Sequence, residues 1–183
     1  MSKRLNDPRR LDVARFADAA GELVGAWPLE MMARLAGSVY RQPSNAAPAP
    51  IEWQVRGERR KTKAAEGQIW LHLRADADLS LECQRCLQPV STRVEARRSF
   101  LFVAGEEVAA ALDEECDDDV LTLTRALDVL ELVEDELLLA LPLVPKHDVC
   151  PQPLMVERGD SPQPDVSHPF AGLAALKAKT RNE

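Results

Sequence analysis

From Leu71 to Cys83, within a run that begins at Ile69, the chain alternates without a break. Leu71, Leu73, Ala75, Ala77, Leu79, Leu81 and Cys83 fall on one side, and His72, Arg74, Asp76, Asp78, Ser80 and Glu82 on the other. A period of two fits a strand with one buried face and no helix. A second run, Val90 to Val103, opposes Val90, Thr92, Val94 and Ala96 to Ser91, Arg93, Glu95 and Arg97. The short connection Gln84 to Pro89 suits a hairpin. Ile51, Trp53 and Val55 alternate with Glu52, Gln54 and Arg56. These three runs predict an antiparallel sheet with one polar face.

Helical periodicity brackets the sheet. Residues 11–39 read as helix, with Val13, Phe16, Ala17 and Ala20 on one face and Leu23 and Val24 extending it. Gly21 and Gly25 predict a break, and Pro28 suits the first turn of a second helix carrying Leu29, Met32, Ala33 and Leu35. The stretch 42–50 holds three prolines and reads as a linker. Residues 104–119 are acidic and read as a loop or frayed helix, and Val120 to Leu123 as a short strand. Asp128 opens a strong helix with a spine of Leu130, Val133, Leu137 and Leu141, ended by Pro142 and Pro145. Beyond it the sequence is proline-rich, then closes on an amphipathic stretch with Phe170, Leu173 and Leu176.

The expected class is therefore α+β. An antiparallel sheet built on a hairpin is flanked by N-terminal helices, one long acidic helix and a short C-terminal helix. Three regions follow: a basic helical region at 1–41, a sheet-plus-helix core at 51–145 forming one domain with it, and a tail at 146–183.

Apolar residues make up 45% of the 183 and charged residues 29%, a globular composition. No apolar run approaches the roughly 18–20 residues needed to span a bilayer, and no hydrophobic stretch follows the charged start MSKRLNDPRR. With only four cysteines, the expected setting is the reducing cytoplasm, where thiols hold metals or lie idle. The net charge of −7 is unevenly spread. Residues 1–63 carry 12 Lys/Arg against 7 Asp/Glu, whereas 105–165 carry 3 against 17. A basic end that could meet phosphate is thus joined to an acidic part that phosphate would avoid.

Chemistry concentrates in Cys83-Gln84-Arg85-Cys86. Two thiolates three positions apart on a tight turn can face one ion, and His147 and Cys150 offer a second pair after the long helix. Three sulfurs and one imidazole make an acceptable structural zinc set. The 61 residues from Cys86 to His147 exceed the spacing of compact zinc modules, so thiols that merely shape the hairpin remain the competing reading. A thioredoxin-like pair fits less well, because that motif precedes a helix rather than joining two strands. Cys116, amid EECDDD, receives no role, since the surrounding negative charge disfavours its thiolate.

No GxGxxG, P-loop or GxSxG is present, and His72, His147 and His168 stand at no catalytic spacing. The carboxylates of 113–119 lack the glycine and spacing of a calcium loop. No catalytic residue is expected. Phosphate contact could come from Arg56, Arg59, Arg60, Lys61 and Lys63 with Arg93, Arg97 and Arg98, spaced on neighbouring strands as one stripe. Aromatics for base stacking are scarce, so such contact would be electrostatic and weakly selective.

CQRCLQP at 83–89, ELLLALPLVPKH at 136–147 followed by Cys150-Pro151, HPFAGLAALK at 168–177 and the Gly25–Leu29 step together resemble the YceD family. Family members are large ribosomal RNA subunit accumulation proteins of bacteria and plastids. The resemblance implies a non-enzymatic role in synthesis, processing or stability of 23S ribosomal RNA, and marks Cys83, Cys86, Cys150 and Pro169-Phe170. His168 stands where many relatives have Asn. Expected partners are ribosomal RNA, a basic large-subunit ribosomal protein, or both, with no membrane and no small-molecule substrate. The alternatives are a zinc-stapled interaction module and an RNA-processing enzyme.

Overall fold

The computed structural model describes residues 7–40, 48–61, 67–116 and 118–151, all within one unit, Met1–Pro153. The expected C-terminal helix, His168, the Pro169-Phe170 pair and Lys63 lie outside the described residues. So does most of the expected linker at 42–50.

Five strands form one sheet in sequence order: β1 Glu22–Trp27, β2 Ile51–Arg60, β3 Gln68–Glu82, β4 Pro89–Val103 and β5 Asp119–Thr122. The first four pair antiparallel and β5 pairs parallel to β4, with Leu101 beside Val120. The long alternating runs became β3 and β4, joined in the hairpin register Leu81↔Val90 and Ala75↔Ala96. Leu71, Leu73, Ala75, Ala77, Leu79, Leu81 and Cys83 are all buried. Burial of alternate side chains is the force that fixes this register, because a one-residue slip would turn every leucine to water.

Helices α1 Val13–Asp18, α2 Ala33–Ser38 and α4 Val129–Ala140 pack on that apolar face. Val13, Phe16, Leu35, Val129, Val133 and Leu137 join the strand residues in the main core. Asp12 caps α1 through the Arg15 N–H, and Asp128 caps α4 through the N–H groups of Leu130 and Glu131. Helix α3, Glu106–Asp113, covers one end of the opposite face, where Trp70, Leu101, Ala109 and Val120 form a second cluster. The segment expected as loop or frayed helix thus holds a short helix.

The N-terminal region departs from the helical expectation. Leu23 and Val24 do not extend α1; they belong to β1, which pairs along β2 from Glu22↔Arg56 to Trp27↔Ile51. A single 3-10 turn, Leu29–Met31, then leads to α2. The reason is tertiary. Trp27 stacks on Trp53 with ring centroids 4.2 Å apart. A Cβ on Gly25 would come within 2.6 Å of the Trp53 ring, so the bare backbone lets the indole lie against the strand. Gly25, which weakens a helix, is tolerated in this strand because the stacked indoles hold it.

Candidate metal centre

The β3–β4 turn is wound tightly by two backbone bonds, from the Cys83 N–H to the Gln88 carbonyl (3.0 Å) and from the Leu87 N–H to the Cys83 carbonyl (2.8 Å). Closing it puts Leu87 in the left-handed region at φ 60°, a conformation costing a branched residue about 1–2 kcal/mol. The turn brings both thiols to one side. After α4, Pro142 stops the helix and the chain returns as an arm along the hairpin tip. Gln84 N–H donates to the Pro145 carbonyl (2.9 Å). The Arg85 guanidinium donates to the carbonyls of His147 (2.7 Å) and Asp148 (3.3 Å). These bonds deliver His147 and Cys150 to the two thiols.

One ligand atom from each of Cys83, Cys86, His147 and Cys150 lies within 4.8 Å of all the others. Cys83 Sγ and Cys150 Sγ are 3.9 Å apart, and Cys86 Sγ is 3.5 Å from His147 Nδ1. Tetrahedral zinc with Zn–S near 2.3 Å and Zn–N near 2.0–2.1 Å requires S···S of about 3.8 Å and S···N of about 3.6 Å. Both separations meet that requirement and the other pairs lie within 4.8 Å, so the donor set is compatible with zinc. His147 Nε2 lies 3.0 Å from the Pro89 carbonyl. A carbonyl only accepts, so Nε2 carries the proton and Nδ1 keeps its lone pair toward the sulfurs, as ligating imidazoles require.

The thiols are not equivalent. Burial alone would push Cys83 up, but hydrogen bonds from the backbones of His147, Arg85 and Cys86, and from the His147 side chain, bring it down to about 5. Burial, and the nearby sulfurs of Cys150 and Cys83, push Cys86 up, with a Gln88 backbone bond opposing. Arg85 Nε donates to Cys150 Sγ at 3.1 Å, and that bond raises the pKa of the guanidinium. One cation is thus held against a sulfur cluster that would carry excess negative charge.

Of the eight cations expected as one phosphate stripe, the six that lie on strands divide between the two faces of the sheet. Arg56, Arg60, Arg93 and Arg97 lie on the polar side of the sheet, whereas Arg59 and Arg98 alternate onto the helix side. There Arg59 pairs with Asp18 of α1, and Arg98 pairs with buried Glu136 of α4 at 3.2 Å. Lys61 is exposed just past β2. On the polar side, Arg93 bridges Asp76 (3.5 Å) and Glu95 (3.1 Å), Arg97 meets Glu95 (3.2 Å), and Arg60 meets Glu58 (3.1 Å). Arg56 stands 3.8 Å from Glu58.

Sequence reasoning missed two arrangements. Arg85 was passed over as the spacer of a CxxC unit, and only the returning arm reveals it as the clamp. His72, which stands at no catalytic spacing in the sequence, sits between Glu58 and Ser99, its Nε2 2.8 Å from the carboxylate and its Nδ1 2.8 Å from the hydroxyl. The His72 bond first, and Arg60 second, hold Glu58 below the usual carboxylate range. The register of three strands is what creates this chain, so no local signal could have found it. The carboxylates of 113–119 serve the fold where they bond: Asp113 accepts from the Val120 N–H at 3.0 Å.

The fold and centre define a class: an α+β protein whose sheet hairpin is joined to a helix-borne arm by a three-cysteine, one-histidine cluster. The family model described as "Large ribosomal RNA subunit accumulation protein YceD" matches residues 71–177. The large ribosomal RNA subunit accumulation protein YceD of Haemophilus influenzae is 30% identical over 177 residues, covering 94% of this chain and 97% of that protein. The chain belongs to the YceD family. No solved structure matches it.

Proposed function

We propose that this chain is a non-enzymatic cytoplasmic factor that supports the synthesis, processing or stability of 23S ribosomal RNA during large-subunit biogenesis. The observation that carries this reading is the likeness, over 94% of its length, to a protein named for large ribosomal RNA subunit accumulation. Among the described residues no helix is long and apolar enough to cross a membrane. In this reading a structural zinc ion on Cys83, Cys86, His147 and Cys150 ties the arm to the hairpin, and supplies cross-linking rather than catalysis.

The charge arrangement favours a basic large-subunit ribosomal protein as the direct partner over bare RNA. The sheet arginines are matched by carboxylates, whereas Glu106, Glu107, Glu114, Glu115, Asp118 and Asp119 are exposed around α3 and β5. Ribosomal proteins rich in Lys and Arg complement such a surface. Direct RNA contact through Arg56, Arg60, Lys61, Arg93 and Arg97 is the second reading, supported by their position on the open face.

Deleting the gene should lower the ratio of 23S to 16S RNA, and the wild-type chain should restore it. An unchanged ratio would refute the assignment. Crosslinking in cells separates the partners, and a binding constant for RNA that falls steeply with salt would favour the arginine reading. Incubation with precursor RNA and magnesium should leave the RNA intact, and cleavage would establish an enzyme.

A further inference from the structure

Of the three clustered cysteines, Cys83 and Cys86 are buried while Cys150 is partly open to solvent. Cys150 also sits on the arm, whose neighbouring Val149 is exposed, whereas Cys83 and Cys86 are fixed in one wound turn. Its sulfur accepts the Arg85 N–H at 3.1 Å and faces Cys83 Sγ at 3.9 Å. Cys150 is therefore the clustered sulfur that a small oxidant in solvent reaches most directly, and Cys83 is the neighbour placed to resolve it.

We propose that the centre is a peroxide-sensitive release switch in which Cys150 reacts first and Cys83 resolves it. This rests on the zinc reading above. The Cys150 thiolate attacks hydrogen peroxide, breaking the O–O bond to give Cys150 sulfenic acid and hydroxide. The Cys83 thiolate then attacks that sulfur, forming the Cys83–Cys150 disulfide and expelling a second hydroxide, and two protons from buffer acid convert both hydroxides to water. Two thiolates lose two electrons in all, and one peroxide gains them. The gap must shrink from 3.9 Å to the roughly 2.05 Å of a disulfide, and the arm is the part free to move. Cys86 and His147 alone cannot retain a tetrahedral ion, so zinc leaves while the arm stays attached through sulfur. A thiol reductant reverses the disulfide, which makes the centre a reversible sensor for a factor whose task is costly RNA accumulation.

The test uses the full chain, with its zinc content measured before oxidant is added. Hydrogen peroxide is titrated in, released zinc is read with a chromogenic chelator, and disulfides are mapped by mass spectrometry without reduction. Cys116, exposed at the end of α3, serves as an internal comparison thiol, and a C116S variant removes links between chains. The expected result is one zinc released per Cys83–Cys150 disulfide, with Cys86 still open to alkylation and dithiothreitol plus zinc restoring the start. Zinc that stays bound while Cys116 is fully oxidised, or a disulfide mapped to Cys83–Cys86, overturns the switch. A chain that binds no zinc at the outset refutes the metal reading beneath it, and with it the switch.

Discussion

On the proposed zinc reading, a chelator should detach the arm from Pro145 to Cys150 while the sheet stays folded. The arm region buries little apolar surface: Leu143 is 100%, Val149 85% and Val144 60% exposed. Hydrophobic burial, at about 25 cal/mol per Å2, therefore contributes little to holding it. Among the described residues, what remains without metal is five N–H hydrogen bonds, Gln84 to Pro145, Arg85 to His147, to Asp148 and to Cys150, and His147 to Pro89, besides weak thiol contacts of Cys83 with Cys150 and of Cys86 with His147. At about 1 kcal/mol net each they supply about 5 kcal/mol. Ordering the backbones of 145–150 costs roughly 1–2 kcal/mol per residue, about 6–12 kcal/mol, nearer the lower end because Pro145 is already restricted. The two terms almost cancel, which leaves the bare arm at or past detachment. Zinc ligation, about 10 kcal/mol or more in metal-dependent folds at neutral pH, settles the balance. Lys146 supplies the assay, since trypsin cleaves after it and only an open arm fits the protease. Zinc-loaded protein should resist, and chelator should speed Lys146–His147 cleavage at least about tenfold, the effect of roughly 1.4 kcal/mol in the opening equilibrium. H147A should behave as the chelated protein in either buffer. Protein shown to carry stoichiometric zinc, yet cut at one rate with and without chelator, would refute the reasoning.

Other expectations rest on single contacts. Glu134 of α4 accepts the backbone N–H groups of Arg34 (2.7 Å) and Leu35 (3.1 Å); E134A leaves both donors without that acceptor and should cost about 2–4 kcal/mol in urea unfolding. Burial opposes ionisation of Glu134, but those bonds and Arg34 win and hold its pKa below the usual range, so its contribution is present at neutral pH and is lost as pH falls through the depressed value. Burial raises Glu136 despite Arg98, so its contribution is full at low pH and is lost as pH rises through the raised value; E134Q should flatten the first slope and E136Q the second. L87G should leave zinc binding intact and be neutral or stabilising by up to about 1 kcal/mol in a thermal melt, because relief at φ 60° offsets the looser unfolded chain. G57A should destabilise by about 1–3 kcal/mol, since its Cβ would meet Phe16 at 2.8 Å and the Ala17 backbone at 2.9 Å.

Where one physical pattern dominated locally, the sequence was readable. The period-two runs became β3 and β4 almost to the residue, because nothing but a half-buried strand satisfies such alternation over that length. ELVGAW was misread because six residues fit either period, and the deciding contact, Trp27 on Trp53, lies outside the window. Cys83, Cys86, His147 and Cys150 were legible because few residue types bind zinc, which makes their identity informative even 61 positions apart. Arg85 and the Pro89 carbonyl were not, since their roles exist only once the arm has returned to the turn.

The strand cations divide between the two faces of the sheet for a reason already in the sequence, the parity of neighbouring positions. Arg97 and Arg98 are adjacent, so a strand must turn one to solvent and the other to the core, and Arg98 consequently spends its charge on Glu136. The same parity places Asp76, Asp78, Glu58 and Glu95 among the outward arginines, and alternating signs a few ångströms apart cancel beyond a Debye length of about 10 Å. Such a face holds its own strands in register more effectively than it attracts a polyanion. It also bears on the Glu58–His72–Ser99 chain, because the β3 and β4 backbone N–H groups lie in the plane of the sheet, those of β4 before Phe100 partly along an edge that β5 does not cover, and not toward the polar face. A tetrahedral oxyanion on Ser99 would find none of those donors aimed at it, and that is the stabilisation acyl transfer most needs. The chain of hydrogen bonds therefore reads as a lock across β2, β3 and β4, and S99A should weaken that lock without altering any RNA phenotype.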